Sequence, residues 1–176
     1  MVVSNEDTSL YYEDLDEESV EEDNITSTEE QTKDGDAEAL LAYLRGKKEV
    51  DGTYFLRYTE DVEGRLENLF WCDKKSRIDY KTFGHVLVFD STYICNAYNT
   101  QLVMLIGINH DRKAVTFGCA LVVNENESSF IWVLKQLVEA RGGQKPETIV
   151  TDGDKAMANA INVVFPEDNI DYICCI

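Results

Sequence analysis

Two aspartates stand where apolar segments end, and of all residues in this sequence they are the best suited to chemistry. Asp90 closes the segment HVLVFD, and Asp152 follows the short run TIVT. Carboxylates that lie close together repel each other unless one is protonated or a cation bridges them. Oxygen ligands of this kind suit Mg²⁺ and Mn²⁺. Asp90 and Asp152 are therefore candidate catalytic acids and candidate metal ligands, if the fold brings them together.

Other acidic residues fit structural positions. Asp154 begins a predicted helix and suits its N-cap, and Asp111 suits the turn in INHDRK. Glu125 and Glu127 lie where another helix is expected to begin. None of these four residues is a predicted metal ligand.

Familiar nucleophile and phosphate-binding motifs are missing from the sequence. His85 and His110 lack the spacing of a helical metal pair, and no GxSxG elbow, P-loop or Gly-rich dinucleotide turn occurs. One alternative is a haloacid-dehalogenase-type phosphatase, because VFDST followed by TDGD has a strand-end aspartate. That class expects an acid two residues later, where this chain has Thr92, and a fold in which strands and helices alternate.

The elements around the two aspartates follow from hydrophobic patterns. Three apolar runs predict strands: HVLVFD, QLVMLIGIN and AVTFGCALVV. The links between them are too short for crossover helices, so we expect an antiparallel meander. An amphipathic helix from Asn126 to Arg141, ended by Gly142 and Gly143, leads to a strand at Thr148–Val150, and a helix in DKAMANAINVVF follows.

A right-handed helical crossover can return that fourth strand beside the first and parallel to it. The result is an α/β fold with a mixed sheet, an RNase H-like core in which Asp90 and Asp152 approach each other. Nucleases and transposases of this architecture use two metal ions about 3.5 to 4 Å apart, usually held with a third acid.

The chain divides into three predicted regions: an acidic tail at 1–35, a helix and hairpin at 36–84, and the core at 85–176. Residues 1–36 hold −13 of the net charge of −18 and few apolar residues, which predicts disorder; some acidic activation segments have similar composition. The helix AEALLAYLR has Asp36 as N-cap and Gly46 as its stop. A hairpin from Thr53–Thr59 and Arg65–Trp71 and a short helix around Ser76–Phe83 follow.

Composition also predicts the setting. The five cysteines form no CxxC pair, which favours reduced thiols, and no apolar run is long enough to cross a membrane, so a soluble intracellular chain without membrane partners is expected. Affinity for the DNA backbone comes mainly from Lys and Arg. Because the chain is acidic, DNA binding would depend on basic or zinc-binding domains elsewhere.

Four segments between Gly35 and Pro166 resemble the Mutator-like-element transposase domain. They are GDAEALLAYL, HVLVFDSTYICNAY, LIGINHDRKAVTFGCALVV and PETIVTDGDKAMANAINVVFP. More narrowly, they resemble the plant far-red-impaired-response family of transcription regulators. The resemblance implies an RNase H-like fold, a nuclear location, and first and second acids at Asp90 and Asp152. It also implies that zinc is bound only by flanking domains. The implied partners are DNA and related regulators, with which the protein would form homodimers or heterodimers.

The resemblance weakens after Pro166, where this chain reads EDNIDYICCI. The family's histidines are absent there, although Cys174 matches its Cys, and the third acid, a Glu on a later helix, is expected beyond Ile176. Tyr93, Asn96 and Tyr98 match the family motif and are expected to order a turn, and Trp132 is expected in the core.

The main hypothesis is that this chain is a non-catalytic domain of a transcription regulator. The alternative is that it is part of an active, metal-dependent transposase.

Overall fold

The computed structural model describes residues 38–92, 100–166 and 170–174, with only the backbone of Thr92, Tyr172 and Cys174. Several residues with predicted roles lie outside these ranges. They are the predicted acidic tail, its neighbour Asp36, and Tyr93, Cys95, Asn96, Tyr98 and Cys175. Within them, no helix combines the length and apolar content needed to cross a membrane.

The first helix, α1, spans 38–50 and continues through Gly46. The predicted stop at Gly46 is therefore wrong. A glycine ends a helix when it takes a left-handed conformation, but the backbone angle φ of Gly46 is outside that region. Leu41 and Leu44 anchor this helix to the sheet through a cluster with Leu56 and Leu69.

The predicted hairpin is present as β1 (Phe55–Glu60) and β2 (Leu66–Cys72), which pair antiparallel. Its turn is closed by Asp61, whose Oδ1 accepts the backbone N–H groups of Glu63 and Arg65. Helix α2 (Lys74–Phe83) follows, with Asp73 as its N-cap. The hairpin is not a separate unit, because β2 also pairs with a strand of the core.

The core has the predicted order of elements. Its members are β3 (Val86–Thr92), β4 (Gln101–Ile108), β5 (Ala114–Val122), α3 (Glu127–Ala140), β6 (Thr148–Thr151), α4 (Lys155–Val164) and β7 (Asp171–Cys174). The first three strands pair antiparallel, and β6 lies beside β3 and parallel to it. β7, which the sequence patterns did not predict, pairs parallel to β6.

The seven strands within the described ranges form one mixed sheet in the order β1-β2-β5-β4-β3-β6-β7. Successive residues of a strand point to opposite faces. In β2, Phe70 packs with residues of α2, α3 and α4, whereas the preceding Leu69 packs with α1. Three helices therefore cover one face, and α1 covers part of the other at the β1-β2-β5 side.

Candidate functional site

The parallel pairing of β3 with β6 brings the two candidate acids to neighbouring strand ends. Val86 pairs with Thr148, and Val88 pairs with Val150. Asp90 and Asp152 each follow the last residue of their strand in this pairing by two positions, so they lie at the same edge of the sheet. Both residues are exposed. Their predicted proximity follows from the strand register, while their chemical role stays a prediction.

A tight turn after β6 fixes the backbone around Asp152. Gly153 has a φ of 86°, a left-handed conformation that favours glycine. Its N–H donates to Thr151 Oγ1 at 3.0 Å, and the Asp154 N–H donates to Asp152 Oδ1 at 3.2 Å. Asp154 in turn caps α4 by accepting the Met157 N–H, so its predicted N-cap position is confirmed.

Ser91 contacts the site, and sequence reasoning missed it. Its hydroxyl donates to Asp152 Oδ2 at 3.1 Å, which links the end of β3 to the turn after β6. A serine beside an acid is too common to signal such a contact, because the partner lies 61 residues away in the sequence. Only the β3–β6 register reveals it.

Two carboxylates are a donor set whose chemistry suits a divalent cation, provided that both turn toward the same ion. Mg²⁺ is commonly held by one or two carboxylates and keeps several waters, and both aspartates are exposed enough to allow those waters. Each carboxylate oxygen has two lone pairs, so the bonds to Asp152 leave acceptor capacity. In the described ranges no group of three or more His, Cys, Asp and Glu residues could hold a metal.

The histidines have ordinary polar neighbours. His85 Nδ1 lies 2.9 Å from Glu147 Oε1, and His110 Nε2 lies 3.5 Å from Asp111 Oδ1. Glu127 begins α3 and accepts from Asn159 Nδ2 at 3.0 Å. Trp132 is half-buried and packs against the main core, as expected.

The two cysteines whose side chains are described are poor nucleophiles. Cys72 is 2% exposed, and burial raises the pKa of its thiol to about 11 although Arg141 opposes the shift. Burial also raises the pKa of Cys119. Because the thiolate is the reactive form, neither thiol suits nucleophilic catalysis at neutral pH.

The sheet also bears on the phosphatase alternative. A doubly wound fold needs parallel strands joined by helices, but β3, β4 and β5 are antiparallel. The strand-end Asp90 therefore lies in a different architecture from the one that such phosphatases use.

Comparison with known families assigns the core to one of them. Residues 86–176, more than half of the chain, match the MULE transposase domain. The chain belongs to this family. The matched range includes both Asp90 and Asp152 and extends from the start of β3 beyond β7, so it covers the five-strand core and leaves out α1 and the hairpin.

Similar proteins place this MULE domain in a narrower group. It is 37% identical over 134 residues to Protein FAR-RED IMPAIRED RESPONSE 1 of Arabidopsis thaliana, a match that covers 76% of the chain and 16% of that protein. Identity to Protein FAR1-RELATED SEQUENCE 4 of the same plant is 35% over 138 residues, covering 78% of the chain and 19% of the relative.

Protein FAR1-RELATED SEQUENCE 2 of Arabidopsis thaliana is 33% identical over 141 residues, covering 80% of the chain and 17% of that relative. The chain thus spans less than a fifth of the length of these curated relatives. In each case the similarity covers more of the chain than the MULE match alone, so the hairpin region is shared as well.

Proposed function

We propose that this MULE domain acts within a nuclear regulator of transcription related to the plant far-red-impaired-response proteins, and that it does so without cleaving DNA. The observation that carries the proposal is the similarity to FAR-RED IMPAIRED RESPONSE 1, at 37% identity over 76% of the chain. The domain would act as a scaffold or dimerisation unit in the longer protein.

The architecture supports a transposase origin. Three antiparallel strands, a helix, a fourth strand parallel to the first, another helix and a fifth parallel strand give the order β5-β4-β3-β6-β7 within the sheet. We assign this core to the RNase H-like class. A fold alone does not fix an activity, so the regulatory role rests on the relatives and not on the sheet.

The charge of the chain supports DNA recognition by other parts of the protein. Residues 1–36 account for −13 of the net −18, so the remaining residues still carry −5. A surface with excess negative charge repels phosphates instead of releasing their counterions. Basic or zinc-binding domains elsewhere in the longer protein would therefore provide the DNA contacts.

Location and promoter occupancy test this proposal. A tagged full-length protein, expressed from its own promoter in the source plant, is expected to accumulate in nuclei and to enrich specific promoters in chromatin immunoprecipitation. A full-length protein lacking residues 86–176 serves as a comparison and is expected to lose regulation of those promoters. Exclusion of the intact protein from nuclei would contradict the proposal.

The placement of Asp90 and Asp152 at the neighbouring ends of β3 and β6 favours a second candidate function, metal-dependent DNA cleavage and strand transfer. The two carboxylates would hold Mg²⁺ or Mn²⁺ through their oxygens. When bound there, such ions activate an attacking oxygen and stabilise the leaving one. Asp90 would supply a ligand from the sheet and Asp152 one from the turn before α4, and a third acid would have to come from outside the described residues.

DNA nicking assays separate the two candidates. If the domain is a nuclease, the full-length protein nicks supercoiled DNA in Mn²⁺, and Asp90→Asn reduces the rate by at least about a hundredfold, since each lost ligand impairs the whole site. Under the regulatory proposal, the wild-type protein and Asp90→Asn give the same background. Asp111→Asn is a matched control because Asp111 lies in the β4–β5 turn.

A further inference from the structure

The Ser91 hydroxyl is bonded to one of the two candidate metal ligands. It donates to Asp152 Oδ2 at 3.1 Å. The backbone pairs of β3 with β6 end at Val88 and Val150, so this side-chain bond connects the two chains past the end of their ladder. It therefore sets where the Asp152 carboxylate lies relative to β3.

Ser91 and Asp90 lie on opposite faces of the sheet. Residues paired across antiparallel strands share a face, and Ser91 pairs with the buried Val103, whereas Asp90 pairs with the half-buried Met104. Phe89 and Val103 both belong to the core under the helices. Ser91 thus points to the helix-covered face, and Asp90 points to the other.

The other bond to Asp152 among the described residues does not oppose that placement. The Asp154 N–H reaches Asp152 Oδ1 at 3.2 Å from within the same turn, so it moves with the turn. In the part of the chain that the structure describes, Ser91 is the partner from the neighbouring strand, and its bond draws the carboxylate toward the face that Asp90 does not share.

We propose that Ser91 is a positioning residue that holds Asp152 away from Asp90 and competes with a divalent cation for it. A cation shared by the two aspartates requires Asp152 to rotate from Ser91 toward the face of Asp90. Removing the hydroxyl abolishes that competition, so it strengthens cation binding. This inference rests on the two-carboxylate cation site described under the second candidate function.

Mn²⁺ binding to the whole chain tests the inference, with free Mn²⁺ followed by electron paramagnetic resonance at fixed pH and ionic strength. Binding by the double variant Asp90→Asn/Asp152→Asn is subtracted, since the chain has 34 acidic residues. Ser91→Ala is expected to lower the Kd for Mn²⁺ about fivefold, or about 1 kcal/mol at 1.4 kcal/mol per factor of ten.

Three further variants control the experiment. Ser91→Thr keeps a hydroxyl and is expected to bind Mn²⁺ like the wild type, whereas Ser91→Cys, a weak donor, is expected to follow Ser91→Ala and replaces it if that variant misfolds. Ser128→Ala removes an exposed hydroxyl in the first turn of α3 that donates to the N-cap Asn126 and is expected to leave Mn²⁺ binding unchanged.

The outcomes are distinct. An unchanged or higher Kd in folded Ser91→Ala and Ser91→Cys overturns the inference but leaves the cation site in place. Wild-type binding no greater than that of the double aspartate variant removes the cation site itself, and the role of Ser91 with it.

Discussion

Arg141 is a buried cation whose described contacts are with neutral groups. Its side chain donates to the carbonyl oxygens of Ser76, at 2.6 Å, and of Phe117. The guanidinium also lies 4.6 Å from the centre of the Tyr80 ring. From α2, Arg77 donates back to the Ala140 carbonyl at 3.0 Å. The two arginines thus join α2 to the end of α3.

Replacing Arg141 by Ala is expected to destabilise the chain by about 2 to 4 kcal/mol, because two carbonyl acceptors lose their donor and a buried volume is left empty. Urea unfolding followed by circular dichroism measures the change. Arg57→Ala is the control: the Arg57–Glu139 pair is about half exposed and should contribute less than about 1 kcal/mol. Equal effects of the two substitutions would contradict this account of Arg141.

The buried thiol of Cys72 is expected to make the free energy of unfolding fall at alkaline pH. Its pKa rises from the ordinary value of 9 to about 11 through burial. The folded chain then holds the thiol proton more tightly than the unfolded chain does. This contribution is complete below pH 9, and it is lost as the pH rises toward 11. Tyr80, with a pKa raised to about 12 by burial, adds a similar loss above pH 10.

The free energy of unfolding is accordingly expected to fall by roughly 2 kcal/mol between pH 9 and pH 11 on account of Cys72. Urea melts across that range test this. Cys72→Ala should be less stable at pH 8 but show a shallower fall, because only Tyr80 and other groups then titrate. Parallel pH dependence in the wild type and the variant would show that the buried thiol is not responsible.

Within single helices and strands, alanine substitutions at two glycines are expected to change the stability of the chain in opposite directions. Gly46 lies inside α1, and an added Cβ there meets no atom within 4 Å. At Gly107 in β4, an added Cβ would lie 2.0 Å from the Phe117 ring. Gly46→Ala should therefore stabilise the chain by about 0.5 to 1 kcal/mol, and Gly107→Ala should destabilise it by about 1 to 3 kcal/mol or more.

Thermal unfolding of the two glycine variants provides the measurement. Gly52→Ala, where the added atom also meets nothing within 4 Å, controls for a glycine outside the helix. A Gly46→Ala chain that is less stable than the wild type would argue against a continuous α1.

Local patterns predicted most elements because most of them have long, periodic apolar segments. The meander, α3, β6 and α4 were all visible in this way. β7 was not, because its four residues DYIC form no extended apolar run and depend on pairing with β6. The pairing of β2 with β5 likewise joins segments about 50 residues apart, and no local pattern encodes it.

The site was predictable to the same extent. Two strand-end aspartates and the meander topology are enough to predict that Asp90 and Asp152 adjoin. The bond from Ser91 depends on which face each residue takes after the ladder ends, and the backbone turn at Gly153 determines that. Such details arise from tertiary geometry, so they could not be read from residue spacing.

For the molecule as a whole, the distribution of negative charge leads to a prediction about DNA binding. The strand ends that carry Asp90 and Asp152 also carry Asp154, and Glu125 and Glu127 follow β5 at the same end of the sheet. With a net charge of −18, the chain should bind a labelled 20-base-pair duplex more weakly than a Kd of about 100 µM at physiological salt. Fluorescence anisotropy measures this, and saturable submicromolar binding would contradict it.

Substitution of both aspartates is the decisive experiment for the proposal that the domain takes part in regulation without cleaving DNA. Promoter occupancy and transcript levels would be compared between the full-length protein and its Asp90→Asn/Asp152→Asn variant, expressed at equal levels in plants that lack the endogenous copy. The variant is expected to restore both promoter occupancy and transcript levels to wild-type values. Failure of a folded, nuclear variant to restore them would show that the carboxylate pair is required and would contradict the claim.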